Sequence, residues 1–390
     1  MNYLKSILQI AGRECRILVF KNPIYLFCMV LLPLAIVLFM TSLLEEGQPV
    51  ETPVGVVDQD NTATSRQLVR KLDSFQTSRV VGHFANVNDA RHAMQRGEIY
   101  AFLLIPSGTT EGLMTQTQPD VSFYYNSAYL LAGSTTFRDM KTAVTLAAAS
   151  AGAQKLAAVG KTAGEIQTFL QPIAVDLHMV GNPLANYNVY LSTTMVPGLF
   201  LLMIFLISVY SIGTELKFGT SHEWMRMADN NPWIAICGKM LPQTIVFLLI
   251  FLIFEFYIYG LLDFPHPGGV WPILLLGVMT VLAGQGFGIF IFGLAPSLRM
   301  SMTICSLLAM LGFSLAGATY PVEAMDGPMH TLAWLFPLRH YYMIYQINIL
   351  GGFPLSYAWA YWLSLGVFIL LPVFVMRNIY RAMLVYKYIP

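Results

Sequence analysis

The sequence predicts an α-helical integral membrane protein with six spans and a re-entrant helical stretch before the last span. It also predicts an α/β extracytoplasmic domain inserted between spans 1 and 2. Three observations carry this. Of 390 residues, 56% are hydrophobic and only 11% charged, where a soluble domain is about 25% charged. The apolar residues gather in runs of about 20, the length that crosses a bilayer. A polar block, 45–187, separates the first run from the others.

The same figures exclude other classes. Lys and Arg number 22 and Asp and Glu 21, a formal charge of +1. Disorder needs low hydrophobicity and high net charge. Nucleic-acid binding needs a basic excess, so no nucleic acid is expected as a partner. The four cysteines, Cys15, Cys28, Cys237 and Cys305, all lie outside the polar block. A disulfide framework there is excluded.

Residues 1–22 come first. Twenty or so residues before the apolar run are too many for a cleaved signal peptide. Leu4, Ile7, Leu8, Ala11 and Leu18 fall near helical spacing. Asn2 to Phe20 therefore reads as an amphipathic helix on the inner membrane surface, or as a plain cytoplasmic extension of the first span. Span 1 occupies 23–44, with its uncharged run at Ile24 to Leu44.

Within 45–187, Val54 to Val57 is a buried-strand candidate and Thr62 to Leu72 a helix. Arg79 to Phe84 is strand-like, and Asn86 or Asn88 caps a helix running to Arg96. Tyr100 to Ile105 is a strand stopped by Pro106, and Val121 to Tyr125 is another. The Ala-rich stretch Ala128 to Val159 favours helix, as does Thr162 to Leu170. Strands alternating with helices predict a small α/β unit.

The membrane region resumes over 188–380. Its spans are expected at Tyr190–Ile212, Met240–Leu262, Val270–Leu294, Met300–Tyr320 and Tyr357–Met376. Met329 to Ile349 is apolar but holds Pro337, Arg339 and His340. It reads as a re-entrant or interfacial pair of short helices. Residues 381–390 form a tail.

Basic residues in the short segments set the orientation. Lys5, Arg13, Arg16, Lys21, Lys217, Arg226, Lys239, Arg299, Arg377, Arg381 and Lys387 fall on one side, and Arg339 alone on the other. Both termini are then cytoplasmic and the polar block faces outward. The expected location is the bacterial cytoplasmic (inner) membrane.

Motifs for chemistry are few. Gly160-Lys161-Thr162 imitates the end of a P-loop, but Lys155 stands where the motif needs glycine. No His-Glu-x-x-His occurs and the seven histidines are scattered, so neither a catalytic zinc nor another metal site is expected. Gly284-Gln285-Gly286-Phe287-Gly288 lies inside a span, where small residues permit close helix packing. The segment from Gly213 to Pro242 is different. It joins two spans on the cytoplasmic side and mixes acids, bases and an exposed aromatic. That suits docking to a protein partner; a solvated loop is the plainer alternative.

This segment resembles the cytoplasmic loop of type-2 ABC exporter permeases, through Glu215, Gly219-Thr220, Glu223, Pro232, Gly238-Lys239 and Pro242. Ala316-Gly317, Pro321, Met325, Pro328, Pro337, Tyr341 and Gly351-Gly352 resemble the family's stretch between its last two spans. Val56-Val57-Asp58-Gln59-Asp60-Asn61 and Ile105-Pro106 resemble the subgroup with a large first extracellular domain.

The resemblance implies a membrane subunit that binds no cofactor itself, with ATP and Mg held by separate ABC ATPase subunits. A second permease copy or a paralogue would complete the pathway, with membrane lipids around it and periplasmic adaptor proteins as a further partner. Glu215 to Asn230 would be the coupling helix, with Glu215, Lys217, Gly219, Thr220, Glu223, Trp224, Arg226 and Lys239 as ATPase-coupling residues. Asn2 to Phe20 would be the connecting helix. The expected cargo is a hydrophobic or amphipathic compound, drug-like or lipid-like, as the 21 Met and 25 Phe would suit.

Glu255 is a carboxylate inside a span, which costs roughly 2.5–3.5 kcal/mol at the bilayer centre. Arg339 or His340 could reach it if their stretch re-enters the membrane. These three are the candidates for the translocation pathway or gate, as a structural ion pair or as a site for a cationic substrate. Two competing classes remain: a non-transporting receptor or envelope scaffold, and a secondary transporter, for which inverted repeats are not evident.

Overall fold

The computed structural model describes residues 3–115, 117–173, 176 and 178–385. The expected helix start at Asn2 and the end of the tail, with Lys387, lie outside the described residues. The chain divides into two compact units, Met1–Glu45 with Met179–Pro390, and Glu46–His178.

The first unit is helical. It opens with α1 (Tyr3–Arg16), prolonged by a π-helical turn over Ile17–Lys21. Among the described residues, five helices are long and apolar enough to cross a membrane. In order of sequence, the first of them is α2 (Pro23–Leu43). Its start is set by Asn22, whose side chain accepts from the Ile24 amide, with Pro23 in the first turn. The others, numbered after the second unit's helices, are α8 (Tyr187–Lys217), α10 (Pro232–Leu261), α11 (Val270–Leu294) and α15 (Leu355–Val385).

The fifth expected span is shorter than the sequence suggested. Its helix, α12 (Leu298–Ser314), has 17 residues, about 25 Å at 1.5 Å per residue. The chain breaks at Gly317, whose φ of +98° an L side chain rarely adopts. The stretch Met329 to Ile349 forms two short helices, α13 (Gly327–Ala333) and α14 (Pro337–Ile344), followed by a π-helical turn to Leu350. Pro337 starts α14 because its missing amide costs nothing there. Residues 381–385 continue α15 rather than forming a separate tail.

α8 and α11 form the centre of this unit. About two-thirds of the apolar window is buried in each (67%), against 28% in α2 and α15. Glycines let the helices close in. A Cβ on Gly286 would lie 2.3 Å from the Phe368 carbonyl oxygen of α15, and one on Gly288 3.0 Å from that of Phe205 on α8. Both neighbours are backbone, which cannot rotate away. Gly286→Ala is expected to destabilise the unit by about 1–3 kcal/mol through overpacking, read as a lower unfolding temperature in detergent.

The second unit is a three-layer α/β fold. Its elements are β1 (Thr52–Asp58), α3 (Ala63–Asp73), β2 (Ser78–His83), α4 (Val87–Gln95), β3 (Ala101–Ile105), α5 (Thr109–Thr115), β4 (Ser122–Tyr125), α6 (Leu130–Ala158) and α7 (Ala163–Leu170). The sheet order is β2-β1-β3-β4. β1 pairs parallel with β2 and β3, and β4 closes the edge antiparallel. Alternation along β1 explains the layers. Val54 and Val56 join Leu68, Leu72 and Met140 on one face, while Val57 joins Ala90, Ala93 and Phe102 on the other. The caps are local: Thr62 and Ser65 form a reciprocal capping box, and Asn86 accepts from the Asp89 amide.

Candidate functional site

α8 ends where the resemblance places its acid and Gly-Thr. Gly219 has φ +69°, and the Thr220 amide donates back to the Glu215 carbonyl at 2.9 Å. A left-handed glycine that closes orphan carbonyls is a common helix stop. The chain then forms α9 (Ser221–Met227). Asp229 and Asn230 also take positive φ, and the Asn231 side chain caps α10 at the Trp233 amide, with Pro232 at its start. Each segment boundary here follows from a short local signal.

Two of the segment's charged side chains, Glu215 and Lys239, are drawn into the interior. Lys239 Nζ donates to Glu14 Oε2 and to Glu215 Oε1, both at 2.7 Å. Arg13 donates to both oxygens of Glu215, at 2.7 and 3.1 Å. The Thr220 hydroxyl donates to Glu215, and the Ser211 hydroxyl donates to Glu14 at 3.1 Å. Gln243 Nε2 donates to Ser211 at 2.7 Å. Glu14, Glu215 and Lys239 are 0%, 3% and 1% exposed. Two cations face two carboxylates, so the cluster is neutral. Burial works against charging Arg13, but the hydrogen bonds to Glu215 and the nearby carboxylates outweigh it and raise its pKa above the ordinary value.

Gly238 makes this arrangement possible. A Cβ there would lie 2.8 Å from Ile10 Cβ and 3.0 Å from the Ile7 carbonyl oxygen. α1 can therefore cross α10 closely enough for Glu14 to meet Lys239. The helix expected on the membrane surface is docked on the bundle by the face carrying Ile10, Ala11 and Glu14.

The eight expected coupling residues thus separate into two sets. Lys217, Gly219, Glu223 and Arg226 are exposed, and Thr220 is half-buried. Glu215, Trp224 and Lys239 are interior. Trp224 is fully buried beneath Lys239, whose Nζ sits 5.2 Å from a ring centroid. An ammonium over an indole face is attractive, so the tryptophan serves the charge cluster. The exposed aromatics of the segment are Phe218 and Trp233, and Lys217 Nζ lies 5.7 Å from the Phe218 ring centroid. An open cavity of about 1120 Å³ lies beside the cluster, lined by residues of α1, α8 and α9, with Arg16, Lys21 and Glu223 among them.

The second candidate group is not brought together. Arg339 pairs with Glu323 at 3.3 Å and lies over the Tyr361 ring. His340 Nε2 meets the Trp334 carbonyl at 2.9 Å, among the rings of Trp334, Tyr361 and Phe368. Neither forms an ion pair with Glu255. Glu255 is buried, and its Oε2 has no hydrogen-bond partner among the described residues. Its other oxygen lies over Gly277, where a Cβ would come within 2.7 Å.

Arg13, Glu14, Ser211 and Gln243 were not singled out from the sequence. A signal for Glu14 was present. It stands four residues after Ile10 and four before Leu18, so a carboxylate interrupts the apolar stripe of α1. Ser211 and Gln243 carried no comparable signal, being ordinary polar residues in apolar helices.

A search of curated proteins finds no match to this chain. The family description that does match is "ABC-2 family transporter protein", over residues 23–376. That range takes in the five long apolar helices almost entirely, the α/β unit, and the α8–α10 segment with its Glu215–Lys239 pair. The chain is a membrane protein that belongs to the ABC-2 transporter family, whose members are ABC permeases that work with ABC ATPase partners.

Proposed function

We propose that the chain is the membrane subunit of an ATP-driven exporter. It moves a hydrophobic or amphipathic compound out of the cytoplasm or inner leaflet. A separate ATPase docks on Phe218 and on the exposed side of α9, at His222, Glu223 and Arg226. One observation carries this reading. α9 is a short helix with an exposed charged side, and its inner side is tied through Trp224 and Lys239 to α1, α8 and α10. A push on α9 would therefore move three helices together, as a rigid transmission requires. In this reading α12 is the fifth of six spans, both termini are cytoplasmic in a bacterial inner membrane, and a second copy or a paralogue completes the pathway. The α/β unit is extracytoplasmic, where a periplasmic adaptor protein could meet it.

Purification from native membranes is expected to bring an ABC ATPase with the chain. In the reconstituted complex, Glu223→Lys is expected to lower substrate-stimulated ATP hydrolysis about tenfold, the equivalent of about 1.4 kcal/mol of lost coupling. Insertion and unfolding temperature should stay unchanged, because surface substitutions alter stability little. Stimulation equal to that of the unaltered protein would exclude this docking face.

A further inference from the structure

The α/β unit carries a groove that the transport reading does not use. It has a volume of about 630 Å³ and runs between α3 and α6, within the range of small-molecule pockets, about 300–1,000 Å³. Leu68, Ala147 and Ala151 supply apolar lining, and Arg70, Lys71 and Lys155 stand around it. All three cations are exposed, and among the described residues none forms an ion pair. No carboxylate lines the groove. This runs against the unit's own balance, since residues 46–178 hold ten Lys and Arg but twelve Asp and Glu. The small side chains matter as well. Ala147 and Ala151 are one helical turn apart on α6, so they lie on the same face and leave space that larger residues would fill.

We propose that this groove binds an anionic amphiphile. Its alkyl or acyl chain lies along the leucine and alanine floor. Its carboxylate, sulfate or phosphate head is held by Arg70, Lys71 and Lys155, from both sides of the groove. Charge-assisted hydrogen bonds give the head its selectivity, and burial of the chain gives most of the affinity. The binding stands apart from the export reading, because it needs neither ATP nor a second subunit.

The test is a fluorescence titration of the full chain, in nanodiscs of phosphatidylcholine, with dansyl-labelled undecanoate and without nucleotide. Saturable binding above that of empty nanodiscs is expected, displaced by dodecyl sulfate and not by dodecanol. Arg70→Gln with Lys155→Gln should weaken it about tenfold, while Arg91→Gln with Arg96→Gln, away from the groove, should not. Ala151→Leu fills the floor without changing charge and should weaken binding comparably. The proposal is overturned by binding no greater than that of empty nanodiscs, by equal affinity in the groove variants, or by equal displacement with dodecanol. Displacement by an acidic helical peptide but not by dodecyl sulfate would overturn it too, and would assign the groove to a protein partner.

Discussion

Lys239→Met is expected to destabilise the protein by about 3–5 kcal/mol, the loss typical when one partner of a buried ion pair is removed. Lys239 stands between Glu14 and Glu215, 2.7 Å from each. Methionine nearly matches its volume, so little of the effect is a cavity. What remains is a buried Glu14 without its cation and a Glu215 left to Arg13. Unfolding in detergent, followed by tryptophan fluorescence, reads the change directly, since Trp224 lies under the ammonium. The double variant Glu14→Met with Lys239→Met should recover much of the loss. It removes opposite charges together and leaves the bidentate Arg13–Glu215 pair neutral. If the double variant loses as much as the sum of the single ones, the two residues are not coupled, and the cluster does not lock α1 to α10.

Glu255→Leu is expected to act in opposite directions on stability and on transport. An unpaired buried polar group costs about 1–3 kcal/mol, and the Oε2 atom of Glu255 has no partner among the described residues. Leucine fits the same space without that cost, so the unfolding temperature should rise. A residue kept at such a cost is a candidate for function. We therefore expect transport of a cationic compound to fall with Glu255→Leu and with Glu255→Gln, while a neutral compound is spared. Equal loss for both compounds assigns the carboxyl to the gate instead of the cargo. A fall in stability would mean that Glu255 is paired after all, and the functional argument for it would lapse.

The elements of the fold were legible where the signal is local. The four strands of the α/β unit fall within a few residues of their apolar runs, because period-two alternation and caps such as Thr62 and Asn86 act over a few residues. The broken stretch around Pro337 was readable for the same reason. The spans were harder to bound. Tyr190–Ile212 and Met240–Leu262 were expected, but the helices extend to Lys217 and back to Pro232. Charged residues usually end an apolar window, and here Glu215 and Lys239 neutralise one another inside the protein.

The candidate site was legible only as a segment. Local chemistry marked the stretch from Gly213 to Pro242, and the family resemblance picked out Glu215, Gly219, Thr220, Trp224 and Lys239 within it, yet neither could say which of them face inward. Arg13 and Glu215 are 202 positions apart, and Glu14 and Lys239 are 225 apart. Lys217 and Lys239 look alike in sequence, although the first is exposed and the second is buried in a four-charge cluster.

Composition and the length of the apolar runs determined by themselves that this is a helical membrane protein, and the alternation of strand and helix patterns in the polar block determined the inserted α/β unit. Those properties are sums over neighbouring residues, so no partner is needed to read them. The tertiary structure alone decided that α1 is clamped to the bundle, that Trp224 is interior, and that Arg339 pairs with Glu323 rather than Glu255. In each case the physical reason is the same. A buried charge or indole face is stabilised where a partner of fitting chemistry meets it, and that partner is placed by the packing of helices far apart in the chain.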